Sequence, residues 1–182
     1  MFGSPSDMTL VKQALQGKNE SWDRLIRRYE SKIYNFALRM TGNREDALDL
    51  VQEVFLSVYR NLDRYGQQAK FSSWIFTIAS HRATDFYRRK KAVDSLDEPE
   101  LLDAGGGNSP YDQVLRRQSN QEVLRLLHQL TPEQRLVVEL KYFQEQTFEE
   151  MSTHTGIPTN TLKSRLYAAL RKLKSLPEVV SA

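Results

Sequence analysis

Asp46, Asp49 and Glu53 stand at i, i+3 and i+7, so a helix carrying them sets three carboxylates along one face. A row of that kind can ligate a hard divalent cation and serve a small metal-dependent hydrolase or nuclease. Such chemistry calls for a second set of ligands converging from elsewhere, and the sequence offers none. His81, His128 and His154 fall in three separate segments without ligand spacing. The absence of cysteine excludes disulfides, thiolate metal sites and cysteine nucleophiles. The carboxylates therefore read as an acidic surface for a protein partner, and no metal or other cofactor is expected. The opposite chemistry gathers at the C-terminal end. Residues 159–176 hold Lys163, Arg165, Arg171, Lys172 and Lys174 and no acid. A second basic group, Arg82 and Arg88 to Lys91, faces Asp85 alone over 81–91. The 26 basic and 23 acidic residues nearly cancel to +3, so the distribution of charge carries more information than its sum. Basic groups of this density suit a polyanion.

The elements that must position these groups read as helices throughout, and no segment alternates as a strand would. Asp7 or Thr9 caps a short helix stopped at Gly17. A longer helix from Ser21 to Met40 buries Trp22, Leu25, Ile26, Tyr29, Ile33, Phe36, Ala37 and Met40. Thr41-Gly42-Asn43 breaks it, and Asn43 caps a helix running to Leu62 that places the carboxylate row and turns Ala47, Leu50, Val51, Val54, Phe55, Val58 and Leu62 inward. Phe71 to Ala79 is helical around Trp74, Ile75 and Ile78, with a kink expected at Ser80-His81 before Arg82 to Lys91. Residues 92–110 change character. They hold two prolines, three consecutive glycines and no basic side chain, and read as a flexible acidic linker. Helical pattern resumes near Tyr111 and restarts at Thr131-Pro132-Glu133. From Thr147 to Leu176 the pattern is a helix-turn-helix. Thr147 and Glu150 have capping-box spacing, Phe148 and Met151 face inward, Gly156 turns the chain, and Pro158 opens the second helix. Leu162, Leu166, Leu170 and Leu173 form the apolar stripe of that second helix. Its polar start at Thr159, Asn160, Thr161, Lys163 and Ser164 is the part that enters a DNA groove in this motif. The expected fold class is all-α, with two small helical domains, 1–91 and 111–182, joined by 92–110. The N-terminus lacks the pattern of a signal peptide and no apolar run approaches a membrane span, so a cytoplasmic protein without direct membrane insertion is expected.

Four segments in order carry a family resemblance over nearly the whole chain. WDRLIRRYESKIYNFALRMTG at 22–42, NREDALDLVQEVFLSVYRNLDRY at 43–65, FSSWIFTIASHRATDFYRRKK at 71–91 and LTPEQRLVVELKYFQEQTFEEMSTHTGIPTNTLKSRLYAALRKLK at 130–174 resemble the bacterial RNA polymerase sigma factors of the extracytoplasmic-function group. The larger sigma factors' region between the halves is absent, which marks this compact group. The resemblance implies a non-enzymatic promoter-specificity subunit with no catalytic residues. It implies docking on core polymerase, at the largest-subunit coiled coil and the flap, with Asp46, Asp49, Leu50, Gln52, Glu53 and Phe55 on the coiled-coil face. It implies that Trp74, Ala79, Ser80, His81, Arg82, Asp85, Tyr87, Arg88 and Arg89 serve the −10 element, Ala79 to His81 as the rim of a pocket for a flipped base. Thr159, Asn160, Thr161, Lys163, Ser164, Arg165, Tyr167, Arg171 and Lys172 would serve the −35 element. An anti-sigma factor, often membrane-tethered, is the implied regulator, which would hold the protein near the inner membrane. His81 replaces a common asparagine, Ser152 an alanine, Thr155 a leucine, Pro158 a serine and Leu162 a valine. Against this reading stand a dimeric helix-turn-helix regulator that acts without being a polymerase subunit, a protein-interaction adaptor with solvated basic faces, and the metal-dependent hydrolase.

Overall fold

The computed structural model describes residues 4–67, 69–93 and 121–176, and these contain α-helices and no strand. The N-terminal half comprises α1 (Asp7–Leu15), α2 (Asn19–Thr41), α3 (Arg44–Arg60) and α4 (Phe71–Val93), with a single 3-10 turn at Leu62–Arg64 after α3. The C-terminal half comprises α5 (121–128), α6 (Pro132–Val138), a π-helical turn Glu139–Phe143, α7 (Phe148–Thr155) and α8 (Thr159–Ser175). The helix expected from Tyr111 lies outside the described residues up to 120. So does the expected linker, except Ala92 and Val93, which belong to α4.

Local chemistry sets the boundaries. The Asn43 side chain accepts from the Asp46 amide at 2.8 Å and starts α3. Reciprocal capping boxes start α6, between Thr131 and Gln134, and α7, between Thr147 and Glu150. Ser6, rather than Asp7 or Thr9, caps α1: its hydroxyl accepts from the Thr9 amide at 3.2 Å, and Asp7 falls into the first turn. The expected kink at Ser80-His81 is absent. α4 continues through it, because each hydroxyl of Thr77, Ser80 and Thr84 bonds the carbonyl one turn back and none opens the backbone ladder.

α2 is the spine of the N-terminal half. Its buried row Leu25, Tyr29, Ile33, Phe36, Ala37 and Met40 meets Ala47, Leu50, Val54 and Val58 of α3 and Phe71, Ile75, Phe76, Ala79 and Ala83 of α4. Phe36 and Phe76 meet edge to face at 5.8 Å. In the C-terminal half, Leu124, Leu127, Leu136, Leu140, Met151, Leu162, Leu166 and Ala169 form the corresponding core. In the N-terminal half, Trp22 and Ile26 of α2 and Val51 and Phe55 of α3, expected inside, are half-buried.

The two halves also pack on each other, α2 against α6 and α4 against α6 and α7. The seam is polar. Glu139, wholly buried, accepts from Arg39 Nε at 2.6 Å and Nη2 at 2.8 Å, and from Gln144 Nε2 at 2.9 Å. The Arg39 guanidinium also lies 4.1 Å from the Phe143 ring centre. Buried Arg135 donates to the carbonyls of Leu127 (2.9 Å) and Leu130 (3.2 Å) in its own half. Across the seam it donates to the Tyr87 hydroxyl at 2.6 Å and to the Met40 carbonyl. The Tyr87 hydroxyl donates to that same carbonyl. His128 closes the seam over Gly42, whose φ of 81° ends α2; a Cβ there would stand 2.0 Å from the imidazole. Burial, with Arg135 and Lys90 nearby, pushes the His128 pKa down to about 4, so the ring is neutral at pH 7.

Candidate nucleic-acid interface

α8 presents its polar face clear of the core. Asn160, Lys163, Ser164, Tyr167 and Arg171 follow one another at three, one, three and four residues. On a helix turning about 100° per residue they share one face. All five are exposed, Tyr167 by 60%. Lys172 is exposed beyond the edge of this row, while Thr159, Thr161 and Arg165 are half-buried at its margins. α7 holds α8 from behind. The Lys163 ammonium sits 5.6 Å from the Phe148 ring centre, which fixes the stem of a side chain on the outer face. Gly156, with φ 71°, ends α7 and donates to the Ser152 carbonyl. The Thr155 hydroxyl donates to the Met151 carbonyl at 2.7 Å and accepts from the Ile157 amide at 3.3 Å. A polar residue at that position thus ties the turn together. Pro158 is the cap of α8 rather than its first helical residue, with no side-chain bond to offer.

α4 offers a second, differently built face. His81 and Arg88 are exposed, and Arg82 and Asp85 half-exposed. Asp85 accepts from Arg88 at 3.0 Å and lies 3.6 Å from Arg82. Ala79 and Ser80, expected at a pocket rim, are buried in the continuous helix. The Ser80 hydroxyl donates to the Phe76 carbonyl at 2.7 Å. Trp74 is half-buried against Tyr65 and Phe71, with ring centres 5.2 and 5.6 Å away. Tyr87 is the seam residue described above, and burial raises its phenol pKa, so it remains a neutral donor.

The carboxylates of α3 join the basic end of α4. Arg89 Nη2 donates to both Glu53 oxygens, at 2.7 and 2.9 Å, and Lys90 Nζ to Asp46 at 2.8 Å. Asp46 also accepts from Asn43 Nδ2 at 2.6 Å. Two members of the row that suggested a metal site are therefore neutralised by cations of the same half. Asp49 and Gln52 remain exposed, and Phe55 half-buried. Leu50, expected on the docking face, is buried under α3 and packs the core instead. The sequence reading missed the apolar residues beside them. Leu48, Leu56 (53%) and Tyr59 (63%) are exposed, and Leu48, Gln52, Phe55 and Tyr59 recur at four, three and four. α3 thus carries an inward apolar row and, on its outer face, the exposed Leu48, Leu56 and Tyr59 beside Gln52 and half-buried Phe55. The outward stripe was legible in that spacing, as a second period on the same helix.

The described residues thus present two basic faces, on α4 and α8, and a mixed apolar and acidic face on α3. Comparison with known proteins carries this further. The family model for sigma-70 region 2 matches residues 25–93, and that for sigma-70 region 4 matches residues 120–173. The chain is 31% identical over 175 residues to the ECF RNA polymerase sigma factor SigW of Bacillus subtilis, covering 89% of this chain and 93% of that protein. It is 32% identical over 162 residues to the RNA polymerase sigma factor CarQ of Myxococcus xanthus, covering 88% and 91%. Among solved structures, CnrH in complex with the cytosolic domain of CnrY superposes with a TM-score of 0.67 at 20% identity, over 94% of this chain and 96% of that one. RpoE of Bartonella quintana, in complex with the anti-sigma factor NepR, gives 0.67 at 20%, over 88% and 99%. These two show the fold. The chain belongs to the sigma-70 family, as an RNA polymerase sigma factor of the extracytoplasmic-function group, and it directs core polymerase to promoters.

Proposed function

We propose a division of labour among the three faces. The outward stripe of α3, with Asp49 and Gln52 beside Leu48, Phe55, Leu56 and Tyr59, docks on the coiled coil of the polymerase's largest subunit. The apolar residues supply buried area and Asp49 supplies charge complementarity. The exposed row of α8 enters the −35 major groove, where Lys163 and Arg171 contact guanine edges or phosphates. His81, Arg82, Arg88 and Arg89 of α4 face the opened −10 strand. The protein itself performs no catalysis; it positions the polymerase. Its place is the cytoplasm, and no described helix is long and apolar enough to cross a membrane. An anti-sigma factor holds it inactive, a reading supported by the anti-sigma complex of its structural relative.

The single observation that carries the reading is the α8 row, which lies on one face, fully outside the core and free of acids. Run-off transcription with purified core polymerase and a promoter library tests it. Promoter-specific initiation that is lost on Leu48→Glu or Asp49→Lys is the expected result. No initiation from any promoter, together with dimeric binding to duplex DNA by the chain alone, would overturn it in favour of a conventional regulator.

A further inference from the structure

Among the described residues, Lys163 is the one basic side chain of α8 with a hydrogen bond, ion pair or ring contact, and its partner is a ring. The ammonium lies 5.6 Å from the centre of Phe148. The Lys141 ammonium, from the π-helical turn, lies 5.1 Å from the same centre. The two cations are held differently. Lys141 is half-buried and donates to the Gln146 carbonyl at 3.3 Å, so its end is tied to the backbone. Lys163 is exposed and has the ring contact alone. The ring is set firmly in place. Phe148 is the first residue of α7, directly after Thr147, whose capping box with Glu150 closes through bonds of 2.7 and 3.1 Å. It is half-buried and packed against the core, on the helix that backs α8. A fixed ring thus meets a flexible cation on the reading face.

We propose that Phe148 is a positioning residue for −35 reading: its ring restricts Lys163 so that the ammonium reads a base edge instead of settling on the nearest phosphate. The inference rests on the assignment of α8 to the −35 groove, and it divides that face by task. A lysine ammonium is a point charge on a flexible stem, and any phosphate within reach satisfies it. Phosphate carries no sequence information. A base edge asks for a donor at one place in the groove. A stem already restricted by the ring loses less freedom on reaching that place and has fewer other places to go. Lys163 also stands near the start of α8, the end of a recognition helix that meets base edges. Lys141 keeps the hold loose. Its charge on the same ring competes with Lys163 and repels it, so Lys163 is steered without being trapped. Arg171, on the same face but further along the helix, has no such ring contact among the described residues and is free to follow the phosphates.

The test starts from a −35 duplex selected from a randomised pool by the full chain in complex with core polymerase. The base pair read by Lys163 is the one at which Lys163→Ala loses its preference. Phe148→Leu, which keeps an apolar side chain and removes the ring, should cut the preference at that pair about threefold. Its affinity for duplexes substituted at that pair should stay at the wild-type value, which a damaged motif would not allow. Phe148→Tyr, which keeps the ring, should keep the preference. Phe148→Leu added to Lys163→Ala should change nothing further, because the ring acts through the lysine. In the free full-length chain, the ε-methylene protons of Lys163 should resonate upfield under the ring current and return to ordinary values in Phe148→Leu. An equal loss on every duplex, an additive loss in the double variant, or an unshifted Lys163 resonance would each make Phe148 a packing residue and overturn the proposal. Lys163→Ala that keeps every preference would overturn it too, while leaving α8 on the −35 element. A wild type that prefers no duplex would instead overturn the assignment of α8 itself.

Discussion

The basic end of α4 and the basic face of α8 carry similar side chains in opposite electrostatic states. On α4, Arg82 and Arg88 share Asp85, Arg89 pairs with Glu53 and Lys90 with Asp46. On α8, no cation forms an ion pair among the described residues. α8 can therefore release counterions directly on meeting phosphate, whereas α4 must exchange an internal carboxylate for a phosphate. Under the proposed division of labour, the difference favours α8 for duplex affinity and makes α4 the face whose cations must first be released from their carboxylates. α4 is also tied through Tyr87 to the seam, while among the described residues the outer row of α8 has no ion pair outside its own motif.

The largest expected effect comes from cutting the tie between α4 and the seam. Arg135→Met removes a buried guanidinium that serves the carbonyls of Leu127 and Leu130, the Met40 carbonyl and the Tyr87 hydroxyl. The Met40 and Leu127 carbonyls each keep one donor, the Tyr87 hydroxyl and the Leu130 amide, and losing the guanidinium's bonds in this buried place costs about 3 kcal/mol. Denaturant unfolding should show a fall of that size. If the loss is under about 1 kcal/mol, the seam does not couple α4 to the C-terminal half and the contrast with α8 loses its structural basis.

A smaller effect is expected on α8 itself. Lys163→Ala with Arg171→Ala should weaken binding to a −35 duplex by about 1–3 kcal/mol and lower the salt slope by about one unit for each phosphate no longer neutralised. Fluorescence anisotropy over a range of salt concentrations checks both numbers. The same double substitution should leave binding to a single-stranded −10 oligonucleotide unchanged. An equal loss on both ligands would mean that the two faces act as one basic surface.

Much of this was legible in the sequence, and the parts that were not share a physical cause. Helix positions followed from Asn43, Thr131 and Thr147 as caps and from the spacing of leucines, because caps and periodicity are local. The polar row of α8 was found for the same reason. Leu50, Ala79 and Ser80 were placed on functional faces by resemblance, and the structure buries all three. The kink expected at 80–81 does not form, because hydroxyls bonded one turn back leave the helix intact. The seam was invisible. Arg39, Arg135 and Glu139 are charged residues in helical pattern, and their partners lie up to 100 residues away. A buried charge is set by a distant partner, and no local pattern announces it.

The finest test of the contrast is to remove one carboxylate from α4's cations. Glu53→Gln takes the charge from the partner of Arg89 and keeps its shape. Arg89 is largely exposed in this pair, so the stability change should stay below about 1 kcal/mol. Binding should respond more clearly than stability. With Arg89 no longer neutralised, affinity for a single-stranded −10 oligonucleotide should rise a few-fold at low salt, and the salt slope should steepen toward that of α8. Affinity for the −35 duplex should not move. If single-strand binding and its salt dependence stay at wild-type values, the Glu53 pair does not restrain Arg89. The contrast between the two faces would then lie in their geometry rather than in their charge.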